Sequence, residues 1–415
     1  MIAEILSVGT ELLLGNTTNT DARDISEYLS ELGINVYWHT VVGDNPGRLT
    51  DAVQIAKSRA DLIVTTGGLG PTCDDLTKQV LAKAFGLELY FDEAEAEGIR
   101  RYFEEKRGRK MTENNLQQAY LPVGCTIFHN LWGTAPGCTF EKDGVRVIML
   151  PGPPRECRAM FENCAMPFLR GIVGGGEIVS HNLRIFGKGE SEVEAMLRDR
   201  MNAMTNPTLA PYAKEGEMLL RVTAKAETHE KAEEMILPVL DELRALLGDV
   251  VYGTDVESLE EAVSSLLRKK HLTLAAAESC TGGLLSKRMT DLPGASDVFR
   301  GCAVVYATEA KTSLLGVPAA LIAEKGVVSR EVAVSLAENA RRVFASDFGV
   351  GITGLAGPDG DGVHPVGTVF VALAAAEKTY VRALTLTRDR GRVRNSAVHH
   401  ALDMLRRCLT GLPVE

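Results

Sequence analysis

The chain has 415 residues, 45% hydrophobic and 24% charged; these are ordinary globular values, but the length exceeds what one core serves, so two or three domains are expected. Its 45 basic residues are outnumbered by 55 acidic ones, for a formal net charge of -10, which argues against a nucleic-acid partner because backbone binding needs clustered Lys and Arg. Met1 opens directly into IAEILSVG with no basic leader, and no apolar run approaches the ~20 residues of a membrane span, so a cytoplasmic protein with no membrane partner is expected.

Residues 2–8 read as a buried strand and 19–32 as a helix with Ile25, Leu29 and Leu32 on one face. NVYWHTVVG follows as a strand, LTDAVQIAKSRA as a helix and DLIVTTGG as a third strand. This alternation predicts an α/β fold with a doubly wound parallel sheet. Its ligand crevice lies beyond the strand C-termini, where Gly9-Thr10-Glu11, Gly43-Asp44 and Gly67-Gly68 fall. Within TGGLGPTCDDL, Gly67, Gly68 and Gly70 permit close backbone approach to a phosphate, and Thr72 adds a hydroxyl. Asp74 and Asp75 come next, with Asp44 as a third carboxylate. Carboxylates beside a phosphate cradle call for a divalent cation, Mg²⁺ or similar. Alternatively, Asp74 and Asp75 cap the following helix and complement its dipole.

The run GIVGGGE at 171–177 interrupts this pattern and opens a small α+β unit; strand and helix alternate again from Leu259. The expected domains are 1–170, 171–252 and 258–415. The middle one is similar in outline to a KH-type module but lacks its GXXG clamp, which reads as a spacer or dimerisation element rather than an RNA binder. Eight cysteines are scattered without a CxxC pair, which predicts reduced, packed thiols.

In the last domain the strand-to-helix turn LAAAESCTGG places Glu278, Ser279, Thr281, Gly282 and Gly283 at a helix start. They are read as substrate-binding, with a phosphate or ribose at the helix N-terminus and Thr353 and Gly354 on the facing loop. VVY reads as a strand, Thr308 as the cap of a helix carrying Lys311 in its first turn, and SDVFRG as a short helix starting at Ser296. The dipole of the first of these would favour a neutral Lys311. Cys280 is an alternative nucleophile, a thiol at a helix start.

The segments SVGTELLLG, VVGDNPGRL, TGGLGPTCDDLT, GTAPG and LPGPPRECRAM resemble the N-terminal domain of the CinA, or competence/damage-inducible, family. AESCTGG, DLPGASDVF, VVYATEAKTSLLGV, GVGITGLAGP and PVGTVFVAL resemble its C-terminal domain. The resemblance implies a molybdopterin-binding-like front domain with metal-dependent ADP-ribose pyrophosphatase activity. It implies a C-terminal nicotinamide mononucleotide amidohydrolase that needs no cofactor, with Ser296 as nucleophile and Tyr306 and Lys311 as its activating partners. It also implies a homodimer. A non-enzymatic alternative is a pterin- or nucleotide-binding adaptor in competence or the DNA-damage response.

Overall fold

The structure is a computed structural model that describes residues 1–108, 110–174, 176–387 and 389–414. The chain divides into two compact units, residues 1–178 with 226–229, and residues 179–225 with 230–415.

The first unit is built on strands β1 (Ile2–Val8), β2 (Asn35–Val42), β3 (Leu62–Thr66), β4 (Leu89–Phe91), β5 (Tyr120–Pro122), β6 (Thr126–Phe128), β7 (Gly137–Lys142) and β8 (Val145–Leu150). Six of them form one sheet in the order β2-β1-β3-β8-β7-β6, while β4 and β5 pair separately. Side chains alternate across the sheet: Ala3, Ile5, Leu62 and Val64 join the apolar layer on one face, and Leu6, Val8 and Ile63 the layer on the other. The expected parallel pairing is confined to β2, β1, β3 and β8; β7 pairs antiparallel with both β8 and β6. The cause is local. Asp143 and Gly144 both have positive φ, 55° and 79°, the geometry of a two-residue hairpin turn that folds β8 straight back on β7.

The second unit contains β9 (Glu177–Ile185), β10 (Thr208–Lys214), β11 (Glu217–Ala226) and β12 (Val251–Thr254), a four-stranded sheet ordered β10-β11-β9-β12. It also contains β13 (Leu274–Glu278), β14 (Phe299–Val304), β15 (Phe348–Gly354), β16 (Thr368–Ala374) and β17 (Thr379–Thr385), ordered β14-β13-β15-β16-β17. Here too the centre is parallel (β14, β13, β15) and one edge antiparallel. The helix Arg330–Val343 lies almost on the backbone of β15: a Cβ at Gly349 or Gly351 would sit 2.1 or 2.3 Å from the carbonyl oxygens of Ala337 and Ala333.

The middle and last modules share one core. Phe186 and Tyr252 from the four-stranded sheet pack with Leu259, Leu285, Val398 and Leu402. A buried polar cluster adds to this apolar contact. His399 Nε2, on the last helix Arg390–Thr410, lies 3.2 Å from Glu217 Oε1 of β11 and 3.0 Å from Arg288 Nη2, and the Tyr252 hydroxyl donates to Glu217 Oε2 at 2.8 Å. Burial alone would raise the Glu217 pKa, but its bonds from His399 and Tyr252 outweigh it and hold the carboxyl below its ordinary value.

Among the described residues no helix is long and apolar enough to cross a membrane. Replacing Glu217 by Ala strips the partner from the buried Tyr252 hydroxyl and from His399, so urea melts should show a loss of about 2 kcal/mol or more. An unchanged midpoint would mean that the cluster contributes nothing to holding the two modules together.

Candidate functional site

Two loops at the C-terminal ends of central strands carry the sequence-predicted site residues. In the first unit a cavity of about 600 Å³ lies beyond β1 and β3, lined by Glu11, Asp44, Gly67, Gly68, Gly70, Thr72, Asp74 and Asp75. Its floor is glycine for a steric reason: a Cβ on Gly67 would meet the Val8 oxygen at 2.1 Å and one on Gly68 the Thr77 hydroxyl at 2.1 Å, with φ of +89° and +67°. Thr77 locks this turn by donating to the Gly67 oxygen at 2.9 Å.

Thr10 brackets Asp44, donating its N–H to Asp44 Oδ2 at 2.8 Å and accepting the Asp44 N–H on its hydroxyl at 3.1 Å. Asp75 turns back to accept the N–H and the hydroxyl of Thr72 at 2.8 and 2.6 Å. The following helix, Thr77–Ala84, has Leu76 at its cap and no side-chain cap bond, so neither Asp74 nor Asp75 caps it. Among the described residues no three His, Cys, Asp or Glu side chains converge tightly enough to hold a metal ion by themselves.

Two further groups in the cavity wall escaped the sequence reading. Asp21 is 9% exposed, and burial reinforced by the charge of Asp24 pushes its carboxyl up to about 6. Gln118 is buried with its Oε1 unpartnered. The Asp21 signal was present in NTDARDI, a helix start with Asn19 as its cap, where a carboxylate enters at the mouth of the crevice.

In the second unit, β13 ends on Glu278, which has no exposed surface. Its Oε2 accepts the N–H groups of Gly283 and Leu285 at 3.0 and 3.1 Å, and its Oε1 the N–H and hydroxyl of Ser286 at 2.9 and 2.8 Å. This corrects two expectations. Glu278 does not face a substrate, and the N–H groups at the start of the helix Leu284–Thr290 are already taken by a carboxylate of the chain itself, so they offer no phosphate site.

Held this way, the turn presents Ser279 to Lys311. Lys311 is fully buried, and its Nζ donates to Ser279 Oγ at 3.2 Å, to the Val305 oxygen at 2.8 Å and to the Tyr306 oxygen at 3.5 Å. All three partners are neutral. Burial therefore lowers the Lys311 pKa, against the weaker opposing pull of Cys280 and Glu309. Lys311 sits in the first turns of the helix Thr308–Leu315, whose cap position is Ala307 rather than Thr308.

The expected grouping of Ser296, Tyr306 and Lys311 does not form. Ser296 lies exposed in a single 3₁₀ turn, Ala295–Asp297, before β14, so the predicted helix is that one turn and gives way to strand from Phe299. β14 runs parallel to β13, with Phe299 opposite Leu274 and Val304 opposite Glu278. Ser296 thus precedes the strand while Tyr306 and Lys311 follow it, and six residues at about 3.3 Å each separate the two ends by about 20 Å. The side chain of Tyr306 is exposed at the site mouth, its hydroxyl accepting from Arg390 at 3.1 Å.

Thr281 is buried with an unpartnered hydroxyl, and its carbonyl accepts from Arg394 at 2.6 Å. Thr353 spends its hydroxyl on the Val327 oxygen at 2.9 Å, and a Cβ on Gly354 would lie 2.6 Å from the Thr368 oxygen; both shape the loop instead of offering side-chain contacts. Burial pushes the Cys280 thiol up to about 11, which keeps it protonated at neutral pH and removes the ground for treating it as a nucleophile.

Residues 4–171 match a family described as probable molybdopterin binding domain, 180–253 the damage-inducible protein CinA KH domain, and 256–409 the CinA C-terminal domain. A CinA-like protein of Dictyoglomus thermophilum is 48% identical over 413 residues, covering 99% of this chain and all of the relative. A putative competence-damage inducible protein of Acetivibrio thermocellus is 47% identical over 408 residues, 98% of each chain. The crystal structure of a CinA protein of unknown function from Thermoplasma acidophilum is 35% identical and covers 41% of this chain and 99% of that one, with a TM-score of 0.38. Matched from end to end in sequence and in the order of its three modules, the chain belongs to the CinA family.

Proposed function

We propose that the last module is a serine amidohydrolase acting on the carboxamide of nicotinamide mononucleotide, with Ser279 as nucleophile and Lys311 as its base. The observation that carries this reading is the 3.2 Å contact between Ser279 Oγ and the buried Nζ of Lys311. A serine hydroxyl needs a neutral base within hydrogen-bond reach, and a lysine becomes one when desolvation strips its proton.

In the reaction the Ser279 oxygen bonds to the amide carbon while its proton passes to Lys311. The carbonyl oxygen becomes an oxyanion, for which the N–H groups of Cys280 and Thr281, which donate to no backbone carbonyl among the described residues, are suitable donors. Lys311 then returns the proton to the nitrogen, the C–N bond breaks and ammonia leaves. Water, deprotonated by the same lysine, cleaves the acyl ester to the carboxylate and restores Ser279. Arg390 and Arg394, brought to the mouth by the last helix, supply the cationic charge that a nucleotide phosphate requires.

The first module, on this reading, takes ADP-ribose and hydrolyses it to AMP and ribose 5-phosphate. Support comes from a glycine-floored cavity lined by six carboxyl side chains, Glu11, Asp21, Asp44, Asp74, Asp75 and Glu156, an arrangement that repels a pyrophosphate unless a cation intervenes. The donor set suits Mg²⁺, which takes one or two carboxylates and completes its shell with water and phosphate oxygens; Asp44 and Asp74 would hold it, and the metal would neutralise phosphate charge. Asp21, titrating near neutrality, is suited to accept the proton of the attacking water.

Ser279→Ala should lower ammonia release from nicotinamide mononucleotide by about 10³-fold or more with ADP-ribose cleavage intact, whereas Ser296→Ala leaves both activities unchanged; the opposite pattern would return the nucleophile to the exposed turn. Since only neutral Lys311 can accept the proton, deamidation should rise with pH through a midpoint below the ordinary lysine value of 10.5, and Lys311→Met should abolish that limb. Chelation of divalent ions should stop ADP-ribose cleavage and leave ammonia release unaffected, as an assay of both products in one sample would show.

A further inference from the structure

A second cavity, of about 450 Å³, adjoins the first in the same unit. Thr134 lines both. The partition between them is the short loop 130–135, and it is rigidly built. Asn130 accepts the N–H groups of Trp132 and Gly133 at 3.0 and 2.7 Å and donates to the Ala135 oxygen at 2.9 Å and to Glu156 at 2.7 Å. Glu156 in turn lines the first cavity and lies so close over Gly133 that a Cβ there would fall 1.7 Å from its Oε2.

The far wall belongs to the helix Glu93–Arg101 and the wider π-helical turn Tyr102–Lys106 that continues it. Ile99, Tyr102 and Leu131 give the cavity an apolar and aromatic lining, while Arg101, Glu105 and Lys106 add charge. Lys106 ties the turn to the partition by donating to the Leu131 oxygen at 3.1 Å. A bare sugar phosphate has no planar apolar surface to match such a lining, whereas a purine nucleoside presents a flat ring for an aromatic side chain and hydroxyls for the polar groups.

We propose that this second cavity is the nucleoside subsite of the first module: a dinucleotide-type pyrophosphate lies with its phosphates over Gly67 and Gly68 and its adenosine beyond Thr134, the base against Tyr102. The inference rests on the reading of the first cavity as a pyrophosphate site. It explains why the chain encloses two adjoining chambers with a single shared residue, since a pyrophosphate substrate is itself two organic halves joined by a charged centre.

Gly98 supplies the test. A Cβ at this helical position meets nothing within 4 Å, so Gly98→Leu starts from open space in the cavity lining, adds bulk there and improves the helix. Calorimetric titrations with Mg²⁺ present would compare AMP, ribose 5-phosphate and inorganic pyrophosphate on wild type and variant. The expected result is AMP binding weakened by about tenfold or more, the scale of one lost base–aromatic contact, with pyrophosphate binding unchanged. Tyr102→Ala, one turn further along the same wall, should do the same by removing the aromatic surface. Unchanged AMP affinity in Gly98→Leu, equal weakening of all three ligands, or weakening of ribose 5-phosphate alone would each overturn the assignment while leaving the pyrophosphate site standing. A wild-type protein that binds neither pyrophosphate nor AMP would remove the underlying reading as well.

Discussion

A buried glutamate bonded to the turn that follows it is the constraint on which the C-terminal site depends. Glu278 accepts three backbone N–H groups and one hydroxyl, so both of its oxygens are satisfied despite complete burial. These bonds also do mechanical work: both oxygens reach forward across the turn, so residues 279–283 are clamped between the end of β13 and the next helix. Ser279 is thereby held at one distance from Lys311. Because Lys311 is buried among neutral oxygens, its proton is loosely held where the hydroxyl waits. One internally bonded glutamate and one desolvated amine, on opposite sides of a five-residue loop, define the chemistry of this half of the protein.

Much of the architecture is legible in the sequence because it is written in periodicity. β1, β2, β3 and the helices between them follow their apolar spacing, and glycine-rich turns mark where strands deliver residues to a crevice. The antiparallel edges are less visible, since a strand pattern carries no direction. The dipeptide Asp143-Gly144 in EKDGVRV is the available sign, and it outweighs the alternation that points to an all-parallel sheet.

The site is legible in its location but not in its roles. AESCTGG looks like a phosphate cradle because strand, glycines and helix occur in that order; what the pattern cannot express is that a glutamate five residues upstream has already claimed the N–H groups. The Ser296 assignment fails for a related reason. Sequence proximity to Tyr306 and Lys311 suggests spatial proximity, yet the intervening residues form a strand, and a strand carries its two ends as far apart as its length allows. Ser279, more than thirty residues before Lys311 in sequence, is brought beside it because β13 and β14 are parallel neighbours.

The middle module contributes Phe186 and Tyr252 to an interior that is otherwise completed by the last helix, residues 390–410. Those two aromatic groups leave the ribosome some 150 to 200 residues before the surface that finally covers them. A chain terminated shortly before residue 390 would leave Phe186 without the His399 and His400 rings that pack against it. Apolar surface left open in this way is a natural client for chaperones, and the helix at 390–410 acts as the keystone of a half that begins more than two hundred residues earlier.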